Sequence, residues 1–168
     1  TYSGVTSATL TLTNAALALS GSVYRCLVKG DNSSFKPSNT ATLTINGTPV
    51  LSSPNLSVCS GVSTGLILST SGVTPAALYN LTAKSVTAGL TETGNAAVPA
   101  TGVTSTYISN DRYRNVTTGS LSVQYTVSPV SAANCIGTAV PIIIPIQPEP
   151  LLASLNKSVC SADPIGII

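Results

Sequence analysis

The feature that most constrains this 168-residue chain is that it repeats itself. Leu51-Ser-Ser-Pro-Asn-Leu-Ser-Val-Cys59-Ser60 returns as Leu152-Ala-Ser-Leu-Asn-Lys-Ser-Val-Cys160-Ser161, an offset of 101 residues. Nine of the seventeen positions from 51 to 67 are identical at that offset, among them Asn55/Asn156, Gly65/Gly166 and Ile67/Ile168. The same offset pairs Asn14 with Asn115, Tyr24 with Tyr125, Ile45 with Ile146 and Pro49 with Pro150. One offset held along the whole chain marks a tandem array, in which each unit of this length must close its own core. The units expected are 1–49, the C-terminal part of one sandwich; 50–150, a complete sandwich; and 151–168, the start of the next. Gln147-Pro-Glu-Pro150 is a short stiff junction, because proline fixes φ and favours extended backbone. A first residue that is threonine rather than methionine adds the expectation that this stretch is a window on a longer polypeptide.

Alternation with a period of two runs through the complete unit. Ser122-Val-Gln-Tyr-Thr-Val127 sends Val123, Tyr125 and Val127 to one face, and Thr9–Leu12 and Thr42–Ile45 follow the same rule. Leu51–Val58, Gly65–Ser69, Ala77–Ser85, Val103–Ser109 and Ala139–Ile146 are further predicted strands, separated by Gly, Pro and Asn clusters. About seven strands per unit of about 101 residues, with no helical stripe, is the spacing of an immunoglobulin-like β-sandwich, so the class is all-β. Pro141 and Pro145 each remove a ladder donor and place the last strand at an edge or bulge.

Composition narrows the function classes. Charged residues are only 7% of the chain, against roughly 25% in an ordinary soluble domain. Serine and threonine take their place, while a hydrophobic content of 43% rules out a disordered polyampholyte. A net charge of +2 offers no electrostatic footprint for nucleic acid or an anionic membrane. The most apolar run, Val140–Ile146, is far short of the ~20 residues of a spanning helix, so any membrane attachment is through a distant anchor.

Chemistry is equally restricted. There is no histidine, and the acids Asp31, Glu92, Asp111, Glu149 and Asp163 are scattered, so no catalytic site and no cofactor is expected. Glu149 beside the junction is one carboxylate where a calcium site wants several oxygen ligands. Zinc is disfavoured by the missing histidines and by wide cysteine spacing.

The four cysteines are Cys26, Cys59, Cys135 and Cys160. Cys160 copies Cys59, so its partner is expected downstream, which leaves Cys59 and Cys135 as the natural pair of the complete unit. Closing that loop of ~75 residues would contribute on the order of 4 kcal/mol in the chain-entropy model. Tyr24 stands two residues before Cys26, the tyrosine-corner spacing of an immunoglobulin strand F, which puts the Cys26 partner upstream of Thr1. Paired cysteines imply an oxidising, extracellular setting.

One local concentration of charge and aromatic groups remains, Asp111-Arg-Tyr-Arg114. With Tyr107 it forms a candidate ligand-contact loop: Tyr107 and Tyr113 could stack on a sugar ring while Arg112 and Arg114 supply donors. A charge-paired surface turn is the plainer reading of the same residues. Asn-X-Ser/Thr sequons lie at Asn32, Asn46, Asn55, Asn80, Asn115 and Asn156.

Val58-Cys-Ser-Gly-Val-Ser-Thr-Gly65, Val123-Gln-Tyr-Thr-Val-Ser-Pro129 and Asn134-Cys-Ile-Gly137, followed by a proline-punctuated last strand, resemble the PKD-like repeats of giant Bacteroidota surface proteins. Those proteins include gliding-motility adhesins of the SprB type. The resemblance covers the complete unit and the start of the third, while the first unit is more similar to an immunoglobulin-type repeat. It implies a bridge between Cys59 and Cys135, export by the type IX route, attachment to the outer membrane surface, and a structural or adhesive role in a long extracellular filament. Such repeats often carry a tryptophan near Ala77–Leu81, where this chain has Tyr79. The partners implied are neighbouring repeats of the same chain, with surface polysaccharide or other filament chains as further candidates. Two other readings stand beside it: a carbohydrate-binding accessory module of a secreted enzyme, and a pilin-like subunit completed by a neighbour's strand.

Overall fold

The computed structural model describes residues 1–31, 33–151 and 161. Cys160 with its expected downstream partner, the start of a third unit, and the sequons at Asn32 and Asn156 therefore lie outside the described residues.

The chain is all-β and sandwich-like. Residues 1–46 carry six two-residue strands, β1 (Tyr2–Ser3), β2 (Thr11–Leu12), β3 (Val23–Tyr24), β4 (Leu27–Val28), β5 (Lys36–Pro37) and β6 (Ala41–Thr42). They pair as β1–β2, β3–β6 and β4–β5, and none of their side chains is buried. Val5, Val23, Val28 and Phe35 are all at least 60% exposed, so this segment holds no core of its own among the described residues.

From Val50 onward the architecture changes. The strands are β7 (Val50–Leu51), β8 (Val58–Cys59), β9 (Thr70–Ser71), β10 (Leu78–Val86), β11 (Leu90–Glu92), β12 (Ala100–Val103), β13 (Tyr113–Asn115), β14 (Leu121–Val130) and β15 (Val140–Gln147). One sheet has the order β12-β10-β14-β15-β8, antiparallel except for the parallel β15–β8 contact. The short pairs β11–β13 and β7–β9 complete the structure. Between the layers lies one core: Leu81 and Ile108, Val123, Tyr125 and Val127, and Ile142, Ile144 and Ile146 are each at most 1% exposed. The alternation expected at Val123, Tyr125 and Val127 is present, and β15 continues it, with Ile143 54% exposed between two buried isoleucines.

The prolines of β15 sit where the backbone tolerates them. Gln147 accepts a hydrogen bond from Ser60 N–H on the β8 side. Residues two apart on a strand direct their backbone groups to the same side, so Pro141 and Pro145 turn their missing N–H away from β14. Strand β8 pairs only with Ile146 and Gln147, which leaves the rest of that side an open edge.

Three strand expectations are corrected. Val103–Ser109 leaves the sheet after Val103 and coils through successive i→i+3 bonds, Tyr107 to Thr104, Ser109 to Thr106 and Asp111 to Ile108. Ile108 is thereby driven fully into the core. Leu51–Val58 divides into two pieces that pair with different partners, β7 with β9 and β8 with β15, with Pro54 between them. Gly65–Ser69 is not a ladder strand, although Leu66 and Leu68 alternate inward as buried residues. Tyr79, at the position noted for the absent tryptophan, is buried and its hydroxyl donates to the Leu68 carbonyl at 3.1 Å.

The structure holds no bond between Cys59 and Cys135. Cys59 is the register partner of Gln147 at the end of β15, whereas Cys135 precedes Val140 at the beginning of the same strand. An eight-residue strand spans on the order of 25 Å, and a disulfide tolerates at most about 7 Å between Cα atoms.

Candidate functional site

The sandwich has two poles, one where the chain enters and one where it leaves. The structure divides the members of the candidate loop 107–114. Tyr113 on β13 is 1% exposed and belongs to the core. Its hydroxyl meets the Tyr125 hydroxyl at 2.5 Å, and Tyr125 donates in turn to Asp111 Oδ2 at 2.5 Å. Since each phenol has a single proton, Tyr113 is the donor to Tyr125. Asp111 Oδ1 accepts the Ala96 N–H at 2.8 Å, and the Asp111 carbonyl accepts from Thr64 N–H. Asp111 is 2% exposed, so this carboxylate is held inside the protein by donors rather than by a cation.

Both phenols are consequently weak acids. Burial is the main cause of raising Tyr113 to about 12, partly opposed by its hydrogen bond to Tyr125. Burial, followed by the hydrogen bond to Asp111, pushes Tyr125 far upward. Neither hydroxyl is a proton carrier near neutral pH.

The remaining members of the loop have separate roles. Tyr107 is half-buried and its hydroxyl donates to the Ala97 carbonyl. Arg112 is exposed, with its backbone N–H bound to Asn95 Oδ1. Arg114 is exposed and forms a two-point contact with Glu149, from Nε to Oε1 at 2.8 Å and from Nη2 to Oε2 at 3.2 Å. The stacking platform expected from Tyr107 and Tyr113 is therefore corrected: burial leaves Tyr113 no face for a sugar.

Glu149 closes a junction lock. Besides Arg114 it accepts from Ser60 Oγ at 3.2 Å, and its own N–H donates to the Asn115 carbonyl at 3.0 Å. Ser60 Oγ also accepts the Asn115 N–H at 2.8 Å. The exit linker is thus tied to β13 and to the residue after β8, and Asn115 is tied beneath it. Asn115 is fully buried; its Nδ2 donates to the Gly119 and Ile146 carbonyls, and its Oδ1 accepts from the backbone and hydroxyl of Thr117. A side chain so enclosed is no glycan acceptor in the folded state, whereas Asn46 and Asn55 are exposed. Nothing local in the sequence distinguishes the Asn-Val-Thr triplet at Asn115 from the other sequons.

The entry pole is packed more tightly against backbone. A Cβ at Gly137 would lie 2.1 Å from the Pro49 carbonyl, so only glycine admits the linker there. Cys135 Sγ stands 3.8 Å from the Asn46 carbonyl in the same corner. No group of three or more metal-ligating residues occurs among the described residues.

Comparison with protein-family models, with curated proteins and with solved structures finds no match.

The lock carries a pH dependence. Hydrogen bonding to Arg114 is the main cause of holding the Glu149 carboxyl below its ordinary value, and the Arg114 guanidinium is raised in return. For a lowered carboxylate, the stabilisation is complete above the unfolded-state pKa and is lost as pH falls through the lower folded-state value. An NMR titration of Glu149 should therefore place its midpoint below the usual glutamate range, near 4.3. Arg114→Gln should bring the midpoint back toward that range; a wild-type midpoint already there would mean that the contact does not persist in solution.

Proposed function

We propose that this chain is a non-catalytic segment of a long extracellular surface filament, built from tandem immunoglobulin-like units of the PKD-like kind and serving adhesion or gliding motility. The observation that carries the reading is the offset of 101 residues, which maps one junction onto the next along the chain. The exit lock supports it. Arg114 and Glu149, two of the few charged residues, are used to fix the linker against the sandwich, as a unit that transmits tension requires. The low charge also limits repulsion between neighbouring units. On this reading the filament is attached to the outer membrane by a distant anchor and contacts neighbouring repeats, other filament chains or surface polysaccharide.

The strand-exchanged subunit is kept as a second reading because of one observation, the exposed apolar side chains of residues 1–46. A segment without a core can be covered by a strand from another molecule. One measurement separates the two. The native polypeptide, reduced and denatured, should have a mass many times 16.8 kDa if it is a tandem array. A mass near 16.8 kDa would reject the array and favour completion between subunits.

A further inference from the structure

We propose that the outer edge of β6 and its flanking residues, 40–44, is a self-association site. Two copies of this chain pair there edge to edge, antiparallel, about a two-fold axis at Thr42. Such pairing needs neither a longer chain nor a strand donated into a core, and so lies outside both readings above.

The first segment repeats the strand register of the complete unit. Val23 faces Thr42 and Tyr24 faces Ala41 across β3–β6. At the offset of 101 residues, Gln124 faces Ile143 and Tyr125 faces Ile142 across β14–β15. Val28 likewise faces Lys36 across β4–β5, and at the same offset Gly137 N–H donates to the Pro129 carbonyl. Thr40, Thr42 and Thr44 therefore stand where β15 has Pro141, Ile143 and Pro145.

The two edges differ in chemistry. Leu43 N–H donates to the Ser22 carbonyl, so residue 43 turns its backbone toward β3, while Thr40, Thr42 and Thr44 turn theirs away. Among the described residues those threonine N–H groups have no acceptor, and the side chains are exposed. On β15 the prolines leave Ile143 as the only donor facing that way, and β8 covers Ile146 and Gln147. An adjoining strand placed like β8 would thus reach Ile45 and Asn46, the copies of those two residues, and leave 40–44 open. Beyond Ile45 the complete unit limits the edge, with Cys135 Sγ 3.8 Å from the Asn46 carbonyl.

A second copy is the occupant that fits this edge. Sheet edges are ordinarily guarded by proline, charge or a covering element, and residues 39–45 contain neither proline nor charge. Antiparallel pairing about Thr42 sets Thr42 against itself and Thr40 against Thr44, so each outward N–H meets a carbonyl of the other copy. Threonine pairs across strands are favourable, and no like charges oppose one another. On the other face Ala41 of each copy lies opposite Leu43 of its partner, which covers apolar area that a single copy leaves exposed or half-exposed.

Sedimentation equilibrium of the 168-residue chain should show a reversible monomer–dimer equilibrium. Amide hydrogen exchange at Thr40, Thr42 and Thr44 should slow as the concentration rises. The double variant Thr40→Pro/Thr44→Pro copies the pattern of β15, where the matching positions accept proline within a formed strand. It should weaken the dimer by about a hundredfold or more while the far-ultraviolet circular dichroism stays unchanged. The exchange measurement on the unaltered chain decides the matter even if the variant fails to fold. A chain that stays monomeric up to ~1 mM would overturn the proposal. So would a dimer in which these amides exchange as fast as in the monomer, or one equally tight in the folded proline variant. Either of those dimers would place the contact elsewhere, on exposed apolar side chains such as Val5 and Phe35.

Discussion

Asp111→Ala should destabilise the sandwich by about 3–4 kcal/mol, because it leaves one buried and one part-buried donor without an acceptor. Tyr125 loses the partner of its hydroxyl and Ala96 the partner of its backbone N–H, each worth about 1–3 kcal/mol when left unsatisfied. The space of the carboxylate adds a small cavity in a region where Asp111 is 2% exposed. Tyr125→Phe should cost less, about 2 kcal/mol, since it removes the donor to Asp111 and the acceptor for Tyr113 while keeping the ring. The two changes should be strongly non-additive, with a coupling of about 1 kcal/mol or more, because they act on one bond. Urea unfolding followed by far-ultraviolet circular dichroism measures all three. Purely additive losses would mean that Asp111 and Tyr125 do not share a hydrogen bond.

The second large effect is at Asn115. Alanine there removes two donors and a double acceptor, leaving the Ile146 carbonyl and the Thr117 backbone N–H to find other partners, at a cost of about 3 kcal/mol. Asn115→Asp should be worse, by about 1–2 kcal/mol near neutral pH, although it is nearly the same shape. Its carboxylate would face the Gly119 and Ile146 carbonyl oxygens where an amide now donates. Burial and those oxygens raise the folded-state pKa of the new acid above its unfolded value. Its stability should then fall as pH rises from the unfolded pKa to the raised one, and stay low above it. Thermal unfolding of the two variants across this range tests the sign. An aspartate variant as stable as the alanine variant at neutral pH would show that Asn115 is not enclosed as described.

Several features were legible before any coordinates. Alternation identified Val123, Tyr125 and Val127 as a buried face, because a strand with one wet side must place every second residue inside. Pro141 and Pro145 confined the last strand to an edge or a bulge, since an absent N–H cannot pair, and β15 lies one strand in from the edge, bordered by β8 only at Ile146 and Gln147. Other features were hidden by the same local logic. Asp111 reads as a surface charge next to Arg112, and nothing nearby in sequence announces that Tyr125, fourteen residues on, supplies its donor. Tyr113 reads as an exposed aromatic for the same reason, and Arg114 as a binding group, although its partner Glu149 is 35 residues away. Turn chemistry at Thr104–Asp111 outweighed the apolar pattern that suggested a strand, because the i→i+3 bonds there satisfy the backbone locally.

What the sequence by itself determined is periodic: the class of the fold and the buried face of β14. These depend on side-chain order along the backbone, and such order survives without a partner. The tertiary structure alone decided which distant residues meet. Cys59 and Cys135 lie in one unit and suggest a loop to be closed, yet β15 stands between them as a rigid spacer, and the strand direction assigns each to a different pole. Counting along the chain measures contour length, whereas a bond requires distance in space, and the sheet is what converts one into the other.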